Sequence, residues 1–356
     1  MSIAKLARPE IRALDPYEAA EQVDDTIRLN ANESPRSLAV GHFRRPLNRY
    51  PEVRPQQLRQ TLAGRFGCEA EQLLVTRGSS EAIDLIIRAF CVAGRDAVLV
   101  NSPSFSMYRH YAEVQGARLI EVPTLAERDF AIDVRDILDA CDDATRLIFI
   151  CSPNNPTGTT LPREELEALL RERGDRSAIV VDEAYVEFGD KPSATELLAH
   201  YDNILVLRTL SKALGFAGAR CGAVVGPADV IRMLSAIQAP YALATPVIEC
   251  VEDALQSEQL EAARQTVAEI VAERTRIADE LLAFPFISKV WPSDANFLLV
   301  RCDDARSIMA TCAKNGVLLR HFGGPLEDCI RITVGSREDN ETLLEILSQV
   351  GKDTNG

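Results

Sequence analysis

A chain of 356 residues, 46% apolar and 26% charged, is longer than one compact core usually organises, so two domains are expected. No apolar run reaches the roughly 18 residues of a membrane span, and residues 1 to 12 mix charges without the apolar stretch of a signal peptide, so neither a membrane nor an export leader is expected. A net charge of −14 argues against nucleic acid as a partner, because phosphate backbones are bound by surplus Lys and Arg; a small anion would have to be held by local arginines.

Residues 1 to 52 carry no strong periodicity and read as an arm. Within it Tyr50, followed by Pro51, is taken alone a packing residue in an extended segment. Gln56 to Phe66, apolar at 58, 62 and 66, predicts a short amphipathic helix. Leu73 to Thr76 predicts a strand, and Arg77-Gly78-Ser79-Ser80 turns from it into a helix over Ala82 to Ala93 with Ser79 as N-cap. Free N–H groups at such a helix start form an anion site, although most caps of this kind only satisfy the helix. Ala97 to Val100 predicts the next strand, and Pro103 to Tyr108 opens the following helix, where Phe105 by itself reads as core. Arg146 to Ile150 predicts a strand entering the turn Cys151 to Gly158, and Pro162 starts a helix whose Arg163 to Arg173 stretch faces solvent.

Ala178 to Val181 predicts a buried strand ending in Asp182-Glu183-Ala184-Tyr185, which sets a carboxylate and a phenol at its tip. Ile204 to Leu207 predicts another, running into Thr209-Leu210-Ser211-Lys212, then Gly215, Gly218 and Arg220, with a strand again from Ala223 to Gly226. A lysine delivered by a strand end into a partly dry crevice is pushed toward its neutral amine, and Arg220 nearby pushes it further. A neutral amine condenses with an aldehyde. The glycines let backbone approach a ligand, while Ser211 and Arg220 offer a hydroxyl and a two-pronged donor suited to phosphate. An aldehyde that carries a phosphate is pyridoxal phosphate, whose ring nitrogen needs a carboxylate such as Asp182. Ser-Lys-x-x-Gly alone fits equally well a surface Lys and Arg on a flexible loop; Asp182 at the next strand tip is what separates the two readings.

Alternating strands and helices from about residue 73 to 226 imply an α/β fold, a mainly parallel sheet covered by helices on both faces with ligand groups at its strand ends. From Pro227 the pattern changes. Thr245-Pro246 starts a helix, Glu258 to Ala283 is long and charged, and strands are expected at Phe297 to Val300, Val317 to Arg320 and Cys329 to Val334. With helices at Ala305 to Lys314 and Arg337 to Val350, this is a smaller α+β unit. Arg331 in its strand reads alone as an exposed ion-pair residue. The nine cysteines form no C-x-x-C pair and read as reduced core residues of a cytoplasmic protein; with only four scattered histidines, no metal site is expected.

Asp182-x-x-Tyr185, Ser211-Lys212 and Arg220, with Ser152-Pro153-Asn154-Asn155-Pro156-Thr157-Gly158 upstream, resemble the signature of the fold-type I aminotransferases, which use pyridoxal phosphate. The resemblance implies that Lys212 carries the cofactor, that Asp182 faces its ring nitrogen, and that Asn155 and Tyr185 donate to its phenolic oxygen from either side. It implies Ser79, Ser80, Ser211 and Arg220 at the phosphate and Phe105 flat on the pyridine ring. The family commonly has Tyr in that place, so the stacking face is kept and a hydroxyl is lost. Tyr50 matches a tyrosine that reaches across a homodimer interface to the phosphate of the other subunit.

Pro16-Tyr17, Leu29-Asn30-Ala31-Asn32-Glu33-Ser34-Pro35, Ala239-Pro240-Tyr241, Thr245-Pro246 and Arg331-Ile332-Thr333-Val334-Gly335 resemble more narrowly the histidinol-phosphate aminotransferase branch, where Asn is usual in place of Ser34. This implies Tyr17, Asn32 and Arg331 at the substrate. Arg320 joins Arg331 if their strands are neighbours, giving two guanidinium forks for a phosphate or carboxylate. The expected organisation is an arm over 1–52 serving the small domain and dimer contacts, a large cofactor domain over 53–244 and a small domain over 245–356. The expected reaction interconverts histidinol phosphate and 2-oxoglutarate with imidazole-acetol phosphate and glutamate, in histidine biosynthesis. An aromatic amino acid aminotransferase and a threonine-phosphate decarboxylase are the rivals. A non-catalytic pyridoxal-phosphate sensor is the reading from another class, disfavoured because no basic helix-turn-helix precedes residue 50.

Overall fold

The computed structural model describes residues 2–16 and 43–353; Tyr17 and Asn32, expected at the substrate, lie outside them. Seven strands form the main sheet: β1 Leu73–Thr76, β2 Ala97–Ser102, β3 Arg118–Pro123, β4 Thr145–Cys151, β5 Ala178–Asp182, β6 Ile204–Thr209 and β7 Gly222–Val225. Their spatial order is β1-β7-β6-β5-β4-β2-β3. β3, β2, β4, β5 and β6 pair in parallel, and β7 runs antiparallel to both β6 and β1.

Strand residues here are almost all Val, Ile, Leu or Phe because both faces of the sheet are covered, and successive side chains enter opposite cores. Along β5, Ile179 and Val181 join Ile148, Ile150 and Val206 on one face. Ala178 and Val180 join Phe149, Leu205 and Leu207 on the other, under the helix Ser79–Phe90. The edge strand β3 was not expected from the sequence. Its exposed and half-buried positions leave no continuous apolar run to read.

The helix Ser79–Phe90 starts about a turn earlier than the expected Ala82, and Ser79 is its first helical residue while Gly78, at φ 74°, holds the cap. The turn out of β1 requires positive φ, which Gly adopts without steric cost, so the cap falls on Gly78. The following helix is Met107–Gln115, leaving residues 103–106 as a loop at the sheet's ligand edge. The first residues of the arm are pinned to the large body: Ile3, Ala7 and Ile11 pack with Ile83, Phe90, Val230 and Leu234, and Arg8 N–H donates to Ala89 O at 2.9 Å. From the helix Thr245–Ala254, Ile248 and Val251 enter the large core, so that core continues past residue 244.

The second sheet joins β8 Ile287–Val290, β9 Phe297–Cys302, β10 Arg320–His321 and β11 Cys329–Thr333, all antiparallel, in the order β10-β11-β9-β8. Leu298, Val300, Ile330 and Ile332 face the helices Ser257–Leu281, Ala305–Lys314 and Arg337–Asp353 through Ile277, Ile308, Cys312, Leu343 and Leu347. The alternate residues of β9 point the other way, toward the large body: Phe297 packs with Tyr185 and Phe188, and Leu299 with Trp291 and Phe130. The strand expected over Val317 to Arg320 shrinks to Arg320–His321, because Gly316 (φ 83°) and Val317 end the preceding helix, Val317 N–H donating to Cys312 O at 2.9 Å. Among the described residues no helix is long and apolar enough to cross a membrane.

Candidate active site

β4, β5 and β6 are adjacent and parallel, with Cys151 opposite Asp182 and Asp182 opposite Leu207, so the chain leaves all three strands at one edge. Ligands of open α/β sheets collect at such an edge. A cavity of about 530 Å³ opens there, lined by Ser79, Ser80, Phe105, Asn155, Asp182, Tyr185, Ser211, Lys212 and Arg220 from the large domain, and by Arg320, Phe322 and Arg331 from the small one. These twelve residues, scattered from 79 to 331, line one cavity, and all but Phe322 were expected at the site, which leaves only Tyr50, Tyr17 and Asn32 of the expected residues outside this group.

Two carboxylates follow one another at the tip of β5, and the structure separates their tasks. Glu183 turns away, accepting from Ala194 N–H at 2.6 Å and facing Arg208 Nη1 at 3.5 Å. Asp182 turns into the cavity floor, 2% exposed, where it accepts from Tyr108 Oη at 2.8 Å and from Ala184 N–H at 3.2 Å. Burial pushes its carboxyl pKa up to about 6, against the opposing pull of these two bonds and of the Lys212 charge. Tyr108 was not singled out in the sequence. It sits three residues after Phe105, whose ring meets its edge at 5.6 Å, and that one-turn spacing was the available signal.

Lys212 projects from the loop after β6, with Nζ 5.4 Å from the Tyr185 ring centroid. Its ammonium pKa is lowered, first by loss of water within the cleft, next by Arg331 and then by Arg220, while Asp182 opposes. The sequence pointed to Arg220 for this effect; the larger cationic contribution comes from Arg331, across the domain boundary. Tyr185 is buried, its phenol pKa raised by that burial, and its hydroxyl lies 3.5 Å from Asn155 Nδ2.

At the other end of the cavity Arg220 lies over Gly78. A Cβ built on Gly78 would stand 2.8 Å from Arg220 Nη2, so a side chain there would move the guanidinium off the start of the helix Ser79–Phe90, and the φ of 74° favours glycine besides. Helix N–H groups, the Ser79, Ser80 and Ser211 hydroxyls and this guanidinium converge there, a site for an anion. Thr209 Oγ1 accepts from Ser211 N–H at 3.2 Å and holds that part of the loop.

On the small-domain wall, Arg320 and Arg331 are direct cross-strand partners in β10 and β11. Two like charges so placed repel unless an anion lies between them. Arg331 Nη1 donates to Asn155 Oδ1, its guanidinium carbon lies 5.2 Å from the Phe297 ring and 5.7 Å from the Phe322 ring, and its Nε is buried without a hydrogen-bond partner. Its pKa is lowered, chiefly by burial and further by Arg320. Tyr50 does not line this cavity; it is 50% exposed and stacks on Tyr241 with ring centroids 4.6 Å apart.

The family model of class I and II aminotransferases matches residues 21–347. The histidinol-phosphate aminotransferase of Xanthomonas oryzae pv. oryzae is 42% identical over 357 residues, covering 98% of this chain and 97% of that protein. Among solved structures, the Sinorhizobium meliloti histidinol-phosphate aminotransferase in complex with pyridoxal-5'-phosphate is similar with a TM-score of 0.79 at 24% identity, over 86% of this chain and 84% of that one. The L-threonine-O-3-phosphate decarboxylase of Porphyromonas gingivalis has a TM-score of 0.72 at 24% identity, over 86% and 91%. At that identity the two structures speak for the fold, which the aminotransferase and the decarboxylase share. With a family match over most of its length and 42% identity to a full-length relative, the chain belongs to the class I and II aminotransferases and, within them, to the histidinol-phosphate aminotransferase family.

Proposed function

We propose that the protein is a pyridoxal-phosphate-dependent aminotransferase that moves an amino group between histidinol phosphate and 2-oxoglutarate, a step of histidine biosynthesis. The observation that carries this reading is the layout of one cavity: a lysine of lowered pKa at its centre, a buried carboxylate on its floor, an anion cradle at one end and two opposed arginines at the other.

The residues fit the cofactor. The Arg220 guanidinium over Gly78, the start of the helix Ser79–Phe90 and the Ser79, Ser80 and Ser211 side chains make a cradle that suits a phosphate. Among the described residues the buried Asp182 carboxylate has no cationic partner within hydrogen-bond reach, and a protonated ring nitrogen would supply one. When bound, pyridoxal phosphate supplies an aldehyde for the amine and a ring that, protonated, draws electrons from the substrate α-carbon. Asp182, held by Tyr108, would keep the proton on the ring nitrogen. Ser79, Ser80, Ser211 and Arg220 hold the phosphate, Phe105 covers one face of the ring, and Asn155 Nδ2 and Tyr185 Oη donate to the phenolic oxygen. Lys212, neutral at lower pH than an ordinary lysine, would take the proton from the substrate α-carbon and return it at C4′, the carbon that carried the cofactor's aldehyde.

Arg331 and Arg320 hold the anionic group of the substrate, and one pair of forks serves both the phosphate of the donor and a carboxylate of the acceptor. Arg331→Ala is expected to raise KM for both substrates by about 10- to 100-fold, the weight of a charge-assisted bond. It should also move the acid limb of the pH–rate profile to higher pH, since Arg331 depresses the Lys212 pKa and its removal lets the ammonium persist further. Steady-state kinetics between pH 6 and 9 check both; unchanged KM removes Arg331 from the site.

We further infer a homodimer in which Tyr50 of each copy reaches the other's phosphate cradle, supported by its exposure and its place outside its own cavity. Nine unpaired cysteines support a reducing, cytoplasmic setting. The test of substrate is direct: kcat/KM for histidinol phosphate should exceed that for phenylalanine and for threonine phosphate by at least about 100-fold, the margin a buried polar recognition site gives. A preference for phenylalanine overturns the assignment.

A further inference from the structure

The chain contains a single tryptophan, Trp291, and it is 1% exposed at the junction of the two domains. Its indole Nε1 is buried without a hydrogen-bond partner, so packing and not a polar contact holds it there. The packing partner from the large domain is Phe130, 3% exposed, ring centroids 5.1 Å apart at 53°. Phe130 reaches it through an unusual backbone: Asp129 and Phe130 have φ of 51° and 56°, successive left-handed residues with no glycine. Bulky residues rarely adopt that conformation, and strain of this kind persists where the surrounding structure imposes it. Here the surroundings are an ion pair between Asp129 and Lys289, the bond from Phe130 N–H to Leu125 O at 2.9 Å, and the Lys289 and Arg301 cations at 5.3 and 5.1 Å from the Trp291 ring.

Both sides of this contact lead to the substrate end of the cavity. On the small-domain side, Trp291 N–H donates to Leu299 O at 3.0 Å, and Leu299 is the cross-strand partner of Arg331. On the large-domain side, Asp129 O accepts from Thr159 Oγ1 at 3.2 Å, and Thr159 O accepts from Asn154 N–H at 2.8 Å, next to Asn155. The two paths meet where Arg331 donates to Asn155. A second seam lies alongside: Asp294 N–H donates to Gly158 O at 2.9 Å, and a Cβ on Gly158 would stand 2.5 Å from Ser293 Cβ.

We propose that the Phe130–Trp291 contact is the fixture that seats the small sheet on the large domain and so sets the height of Arg331 above the site. Phe130 is a positioning residue: it touches neither substrate nor cofactor and acts through Trp291, Leu299 and the β11 register. This rests on the reading of Arg331 as the holder of the substrate anion.

Phe130→Gly tests it, because glycine accepts the left-handed backbone and only the ring is lost. In the holoenzyme KM for both the amino donor and the 2-oxo acid should rise about tenfold, with kcat within about twofold, since misplacing a binding group by a fraction of an ångström weakens its grip without touching the proton carrier. In the cofactor-free protein the emission of Trp291 should shift to the red as water reaches the indole, and pyridoxal-phosphate affinity should stay unchanged. Phe130→Leu, which keeps an apolar filler, should recover most of both effects, and it serves as the comparison if the glycine variant does not accumulate folded. Unchanged KM values, unshifted emission, or a loss confined to kcat or cofactor affinity overturns the proposal. Arg331→Ala run in parallel separates the two readings. If it raises KM and Phe130→Gly does not, only the fixture fails; if it leaves KM unchanged, the anion-holding role fails first.

Discussion

Lys212→Ala is expected to lower kcat by about 10⁴-fold while leaving the fold intact, because it removes the group proposed to carry the cofactor and to move the proton. The side chain projects into the cleft and belongs to none of the apolar cores, so the loss of stability should stay within about 0.5 kcal/mol. Single-turnover absorbance with the amino donor and a urea melt of the same sample separate the two effects. Retained turnover excludes Lys212 from the chemistry; a large fall in melt midpoint assigns it a structural role instead.

Asp182→Asn is expected to act in opposite directions on activity and on the stability of the cofactor-free protein. Asparagine keeps the shape and loses the charge that holds a proton on the ring nitrogen, so kcat should fall about a thousandfold, equivalent to about 4 kcal/mol of barrier. Without cofactor, the Asp182 carboxyl titrates at about 6, above the value of about 3.9 for an unfolded aspartate. The folded chain then binds this proton more tightly than the unfolded chain. Its contribution to stability is whole below about pH 4, falls as pH rises, and is lost above about pH 6, to the extent of about 3 kcal/mol. Asparagine does not titrate. Relative to the unmutated protein, the variant should therefore gain up to about 3 kcal/mol between pH 4 and pH 7.5, read from urea melts without cofactor. Parallel pH profiles contradict the buried charge. On the proposed reading, a cationic ring would offset this cost when it binds.

Most of the cofactor half of the site was legible in the sequence, because each group there sits at the end of a short apolar run. Asp182 closes β5, Lys212 follows β6, and Asn155 follows β4; three parallel neighbours bring their ends together whatever the details of packing. The start of the helix at Ser79 was misjudged by about a turn, since nothing local says whether Gly78 or Ser79 takes the cap until the turn out of β1 fixes the φ of Gly78. The edge strands β3 and β8 were missed for the opposite reason, partial exposure breaking their apolar pattern.

What the sequence withheld is contact between distant elements. Tyr108 carries no motif, and its bond to Asp182 joins the first turn of the helix after β2 to the tip of β5, a contact that no local pattern announces. Arg331 was placed at the substrate by its motif; what only the fold supplies is its bond to Asn155, across the boundary between the domains. The left-handed pair Asp129 and Phe130 has no glycine or asparagine to announce it, because tertiary packing on Trp291 imposes the conformation.

Borohydride reduction of the protein loaded with pyridoxal phosphate, followed by mass mapping of its peptides, addresses the chemistry most directly. Loss of the visible absorbance together with one pyridoxyl group on Lys212 is the predicted result. A pyridoxyl group on another lysine, or none at all on protein that binds the coenzyme stoichiometrically, would contradict it.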